Sequence, residues 1–385
     1  MEFSLTWVLL GLPLAFVLGW LASRFDLRQI RLENQQAPKA YFKGLNFLLN
    51  EQQDQAIDAF IEAVQNDPDT SELHFALGNL FRRRGEYERA VRVHQHLLQR
   101  GDLSAADLQR AQYALALDFL KAGLLDRAEE ALIKLEGTAF EAQARLALLG
   151  NYERSRDWGQ AAQMAEKLSL AGQGDFSQRQ AHYLCEQALS LAAQGALEAA
   201  LHLLEIARQK APHAARARLV LAQLQTQMGQ TEQAWQTLMQ ALTLCPDAVA
   251  LIARPLAEAA LTSNNVPSTL QQLQSIYAQE ASLDVLDAIV TLTAKQNNSP
   301  TCARDWYVRH LEQVPSLVVA AKWIADEKLE HEQFHPQVQR ALEQAVKPLL
   351  RYRCAACGFE AMQHFWQCPG CQTWDSYPPR RIEEL

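Results

Sequence analysis

One set of positions recurs along this chain at a fixed spacing of 34 residues. Gly44, Ala56, Phe60 and Pro68 reappear in register as Gly78, Ala90, His94 and Asp102. Gly195, Ala200, Ala207 and Pro212 reappear as Gly229, Ala234, Ala241 and Pro246. Two looser units lie between them, one through Leu115, Phe119, Gly123, Ala128 and Leu132, the other through Tyr152, Trp158, Ala161 and Leu168. A period of this length implies one supersecondary unit used many times, because a lone unit cannot bury its apolar face. Each unit reads as a helix, a short turn that often carries Gly, and a second helix. Gly44, Gly78, Ala116, Ala188 and Ala222 on the first helices, and Ala56, Ala90, Ala128, Ala200 and Ala234 on the second, mark close approaches. Phe47, Phe60, Phe81, Tyr87 and Phe119 fill the gaps between units. Pro68, Pro212 and Pro246 end second helices, since proline cannot continue a helix interior.

This pattern resembles the tetratricopeptide repeat. Six units are readable over 37–246, and about three degenerate helix pairs follow over 247–348. There Pro255, Asn264, Asn265, Pro267, Pro300 and Pro315 are expected to punctuate the helices. The segment Thr301–Val314 reads as one helix stopped by Pro315. No long alternating run appears, so the expected fold is all-α: a solenoid whose groove binds a peptide or protein. Asn46, Asn50, Asn79, Arg82 and Arg83 are candidates for that inner face. The run Arg82, Arg83 and Arg84 suits an acidic ligand, but such a run is more often a solvated helix end that complements the dipole.

The last stretch, 349–385, reads differently. Cys354 and Cys357, then Cys368 and Cys371, form two Cys-x2-Cys pairs separated by ten residues. Four thiolates from two such knuckles make a closed tetrahedral metal site. Gly358, Pro369 and Gly370 are expected to supply the tight turns. The ion is zinc or a single iron. His364 is a spare ligand at most, since four cysteines complete the set. Tyr352, Phe359, Phe365, Trp366 and Trp374 would wrap the site, with Trp366 and Trp374 the candidates for docking on the helices. The knuckles resemble both zinc ribbons and rubredoxins, and ten residues is a short separation for a rubredoxin.

At the other end, residues 3–22 carry no charge. At about 1.5 Å per residue they reach about 30 Å, the thickness of a bilayer's hydrocarbon core. Trp7 and Trp20 lie near the two interfaces, and Pro13 is tolerated in a membrane helix. The expectation is a transmembrane anchor over 1–23 and a basic linker over 24–36. Arg24, Arg28 and Arg31 place the following chain in the cytoplasm and the N-terminus in the periplasm. Cys185, Cys245 and Cys302 in apolar helical settings agree with a reducing compartment.

Catalytic sets are missing from the sequence. There is no Gly-rich phosphate loop, no Gly-x-Ser-x-Gly and no His-Glu-x-x-His. His94 and His96 face different sides of a helix, and Pro336 breaks the spacing of His331 and His335. The net charge of −8 argues against nucleic acid as a partner.

Taken together, anchor, repeat array and tetracysteine end resemble the lipopolysaccharide assembly protein B family of Gram-negative bacteria. The stretches from Gly44 to Ala56, Leu77 to Arg82 and Arg351 to Phe359 carry the likeness. The resemblance implies a non-enzymatic inner-membrane adaptor. It implies partners too: the protease FtsH, the deacetylase that commits precursors to lipid A, whose proteolysis is promoted, and an inner-membrane regulator of the pathway. It also implies that Cys354, Cys357, Cys368 and Cys371 hold a rubredoxin-type metal. Two other readings stay open, a membrane-tethered electron carrier and a general envelope-assembly scaffold, as does pairing of two copies.

Overall fold

The structure is a computed structural model. It describes residues 16, 17, 20, 42–67, 70–297, 300–325 and 335–385. The expected span over 1–23 and linker over 24–36 therefore fall almost wholly outside the described residues. Phe16, Val17 and Trp20 are helical and exposed. Among the described residues no helix is long and apolar enough to cross a membrane. The chain divides after Asp157 into two compact units.

The first unit contains α1 (42–49), α2 (Gln53–Asn66), α3 (Ser71–Arg84), α4 (Tyr87–Gln99), α5 (Ala105–Ala122), α6 (Leu125–Ile133) and α7 (Glu141–Ser155). The 34-residue spacing has a steric origin here. A Cβ on Gly44 would stand 2.7 Å from the ring of Phe60, and one on Gly78 would stand 2.5 Å from Nε2 of His94. Glycine is required at both places because the next helix's ring occupies the space a side chain would need. The turns use a second property of glycine. Gly85 and Gly123 lie at φ 84° and 76°, after α3 and α5. This lets the amides of Glu86 and Leu124 donate back to the carbonyls of Phe81 and Phe119.

A buried polar cluster ties α3, α4 and α5 together. Asp118 is fully buried, as is His94, whose Nδ1 lies 2.5 Å from Asp118 Oδ2. Arg82 donates to Asp118 Oδ1 at 2.9 Å, to the Ala114 carbonyl at 3.1 Å and to Asn79 Oδ1 at 2.5 Å. Removing one member would strand the others in a dry interior. Arg84 pairs with Asp54 and Glu86, while Arg83 is exposed.

The second unit holds α8 (Trp158–Leu170), α9 (Ser177–Ala193), α10 (Leu197–Lys210), α11 (Ala215–Gln227), α12 (Thr231–Leu244), α13 (Val249–Ser263), α14 (Val266–Tyr277), α15 (Leu283–Asn297), α16 (Pro300–Gln313), α17 (Leu317–Ala325) and α18 (His335–Val346). A continuous core runs from α12 through α13 to α15, built on Leu238, Ile252, Leu256, Leu286, Ile289 and Leu292. Pro267 and Pro300 sit in first turns, where a missing amide costs nothing. Pro255 departs from expectation. It lies inside α13 and does not end it. The buried neighbours Ile252, Ala253, Leu256 and Ala257 hold the helix through a residue that costs about 3 kcal/mol in a helix interior. Among the described residues the only strands are β1 (Tyr352–Arg353) and β2 (Glu360–Ala361) in the C-terminal knuckle.

Two helical glycines predict opposite outcomes. Gly78→Ala should destabilise the first unit by about 1–3 kcal/mol, through overpacking against His94. Gly150, inside α7, has no atom within 4 Å of where a methyl group would stand. It should tolerate Ala and gain about 0.5–1 kcal/mol. Thermal or urea unfolding of the two variants checks the signs.

Candidate metal centre

The knuckle starts as a two-residue antiparallel ladder, with Tyr352 opposite Ala361 and Arg353 opposite Glu360. Arg353 also donates to Glu360 across it, at 2.8 and 3.0 Å. Beyond β1 the chain turns at the first cysteine pair. The Gly358 amide donates to the Cys354 carbonyl at 2.9 Å, with Gly358 at φ 76°. The second pair repeats this turn: the Gln372 amide donates to the Cys368 carbonyl at 2.8 Å, with Gln372 at φ 60°. Pro369 and Gly370 lie in the second turn as expected, and the left-handed residue there is Gln372. Gly370 lies against Phe359, whose side chain begins 3.4 Å from where a Cβ on the glycine would stand.

These two turns bring four sulfurs together. All lie within 4.8 Å of one another. Cys354 and Cys371 are 3.8 Å apart, and Cys357 and Cys368 are 3.7 Å apart. A tetrahedral ion with metal–sulfur bonds of about 2.3 Å needs sulfur–sulfur edges of about 3.8 Å. The donor set therefore fits zinc or a single iron. Cys354 and Cys368 are buried, whereas Cys357 and Cys371 face solvent. Burial works against a Cys354 thiolate, but the Ser376 hydroxyl and the amides of Cys357 and Ala356 prevail and hold the thiol down at about 6. The Thr373 hydroxyl and amide lower Cys371 in the same way. His364 is not a ligand. Its Nε2 lies 3.1 Å from the Tyr377 carbonyl, its ring meets Trp366 edge-on at 4.8 Å, and burial lowers its pKa.

The knuckle is seated on helices of its own unit. Trp374 is 7% exposed and stacks on His182 of α9, with ring centres 4.7 Å apart. It meets Trp158 of α8 and Tyr183 edge-on, at 6.1 and 5.9 Å. Asp375 takes both oxygens to 2.9 Å from His182 Nε2 and accepts from Gln178 at 2.9 Å. Arg216 of α11 lies over Trp374 and Trp366, at 5.7 and 6.0 Å, and donates to Glu186 at 2.5 Å. On the far side Arg381 grips Asp284 of α15 with two bonds, at 2.8 and 3.0 Å, and covers the Tyr352 ring at 4.2 Å.

The other candidate contact residues belong to the first unit. Asn46 and Asn50 are exposed on and just after α1, and one amide bonds the other at 3.3 Å. Arg82 is engaged with Asp118, Asn79 accepts from Arg82, and Arg83 points to solvent. His182, Arg216, Asp284, Asp375 and Arg381 were not singled out by the sequence. Their pairings span up to 197 residues, as between Gln178 and Asp375, and leave no local signature.

Metal and seat are separable by substitution. Cys354→Ser or Cys368→Ser should take bound metal from one ion per chain to nearly none by elemental analysis, since each ligand is one quarter of a closed site. Asp375→Ala should leave the metal in place but lower stability by about 1–3 kcal/mol, because His182 loses its acceptor in a buried position.

A family model described as a rubredoxin metal binding domain matches residues 352–378. Tetratricopeptide repeat models match 73–107 and 191–258. Lipopolysaccharide assembly protein B of Escherichia coli (strain K12) is 29% identical over 377 residues, covering 96% of this chain and 97% of that protein. The protein of the same name from Haemophilus influenzae is 28% identical over 389 residues, covering 97% and 98%. A tetratricopeptide repeat protein of Parabacteroides merdae superposes with a TM-score of 0.35 at 13% identity, over 67% of this chain and 99% of its own. That likeness adds nothing to the helix-pair geometry already described. From its repeats to its tetracysteine end, and over nearly its whole length, this chain is similar to the lipopolysaccharide assembly protein B family.

Proposed function

We propose that this chain is a non-catalytic adaptor of lipopolysaccharide assembly, tethered to the inner membrane by residues 1–23 with its bulk in the cytoplasm. It would present the lipid A-committing deacetylase to the FtsH protease and respond to an inner-membrane regulator of the pathway. The observation that carries this reading is the match to proteins named lipopolysaccharide assembly protein B, over 96% of the chain. The chemistry is compatible. Helix-pair arrays bind peptides and proteins along their surfaces. The metal-ligand set, four thiolates, leaves no open position for a substrate.

Deleting residues 1–22 should give a folded protein that no longer lowers the deacetylase level in cells. Unchanged turnover with the deleted form would refute the tethered-adaptor reading. Crosslinking and capture of the full chain from membranes should recover the protease and the deacetylase. Recovery of envelope-assembly enzymes without either would favour a general scaffold.

A second reading rests on one observation, the solvent-facing Cys357 and Cys371. An iron held there would be open to electron exchange. Visible absorption that bleaches on reduction and returns with a protein oxidant supports it, and a colourless zinc-loaded protein rules it out.

A further inference from the structure

After the knuckle the chain crosses back to the helices, where α15 and α17 begin. A helix leaves its first amides without partners inside the helix. Here carboxylates from residues 383 and 384 supply them. Glu383 accepts from the amides of Leu317 and Val318, at 2.6 and 3.0 Å, and from the Ser316 hydroxyl at 2.7 Å. Glu384 accepts from the amide of Leu283 at 2.7 Å. Two backbone bonds set the register: the amides of Ile382 and Glu383 donate to the carbonyls of Arg351 and Leu349, at 2.8 and 3.2 Å. Arg381 adds its paired bonds to Asp284.

Three features make this segment resemble a held ligand more than a piece of core. Its grip is polar: Ile382 is only partly buried, and Leu385 is 63% exposed. Beside it lies a cavity of about 560 Å³, lined by Glu383, Glu384, Arg380, Ser316 and His310. His310 is 2% exposed, its Nδ1 lies 2.5 Å from the Tyr277 hydroxyl, and its Nε2 has no partner. Burial lowers the His310 pKa, and Glu383 is the charge that pulls it back up. A buried, unpaired imidazole nitrogen lining a cavity is a polar contact in reserve.

We propose that the cleft at the start of α15 and α17 is a binding site for a short acidic peptide, an arginine followed by two adjacent carboxylates, and that residues 381–384 fill it in cis. Each element of that ligand has its own receptor. The carboxylates take two helix N-termini, where amides and dipole both favour negative charge. The guanidinium takes Asp284 and the Tyr352 face. The peptide backbone takes the carbonyls of Leu349 and Arg351. A site built this way is addressable in trans whenever the resident segment lets go, as by a second acidic peptide at high local concentration. This inference stands on contacts within the second unit and does not depend on the adaptor reading.

The test uses the full chain carrying Glu383→Gln and Glu384→Gln. Amide hydrogen exchange at Leu283, Leu317 and Val318 should speed up by about tenfold or more, as charge-assisted bonds become neutral ones, while α9 to α12 exchange as before. A synthetic peptide of residues 378–385 should restore protection saturably, and the same peptide with both Gln substitutions should not. Unchanged exchange in the variant overturns the proposal, as does failure of the native peptide to protect, or equal protection by the Gln peptide. If the double variant loses its helical circular dichroism, Glu384→Gln alone should expose Leu283 and spare Leu317. Unfolding by that single change would make the segment integral core and would refute the site.

Discussion

Four thiolate sulfurs spaced 3.7–3.8 Å apart along two edges repel one another unless a cation lies among them. The C-terminal part of the second unit is arranged around that constraint. Two matched turns, one closed by Gly358 and one by Gln372, aim backbone amides at the sulfurs. Inside the knuckle the buried side chains are few, Tyr352, Cys354, Cys368 and Tyr377 among them. So small a core needs a staple, and a metal provides it. Its other support comes from outside. Trp374 and Asp375 reach α8 and α9, Arg381 reaches α15, and Glu383 reaches α17. The knuckle is therefore packed into the second unit's own helices and not a bead on a string.

The first unit rests on close approach. Where Gly78 meets His94, no side chain could stand on the facing helix, and the imidazole so enclosed is paired with Asp118. Packing and electrostatics are coupled at that point: a glycine makes room for a polar ring, and the ring's partner must then be satisfied by Arg82. The arginine that heads a basic run in the sequence thus serves the interior with its guanidinium, while Arg83 stays with solvent.

Much of this was legible in the residues. The 34-residue spacing of Gly44 with Gly78 reports a steric requirement that repeats with the helix pair, and the Cys-x2-Cys pairs report a coordination geometry. Both are local and periodic, so pattern suffices. Other features were opaque for identifiable reasons. Gln372 takes a left-handed conformation usually left to glycine, because the knuckle's hydrogen bonds over-determine it. Pro255 stays inside α13 because its neighbours are buried, a tertiary effect that overrides local propensity. His182 with Asp375, and Arg381 with Asp284, join residues 193 and 97 positions apart. No spacing rule reaches that far. Of the five aromatics expected to wrap the knuckle, Trp366 and Trp374 are the ones that meet His182 of α9, a choice that depends on helices far away in the sequence.

The claim that knuckle and helices form one cooperative body is tested most directly by melting the full chain with and without a chelator, followed by far-ultraviolet circular dichroism. The contacts from Trp374, Asp375, Arg381 and Glu383 predict that metal removal lowers the midpoint of a helical transition, in step with the tryptophan signal. A helical transition that stays in place while the tryptophan signal is lost would contradict the account and make the knuckle an independent module.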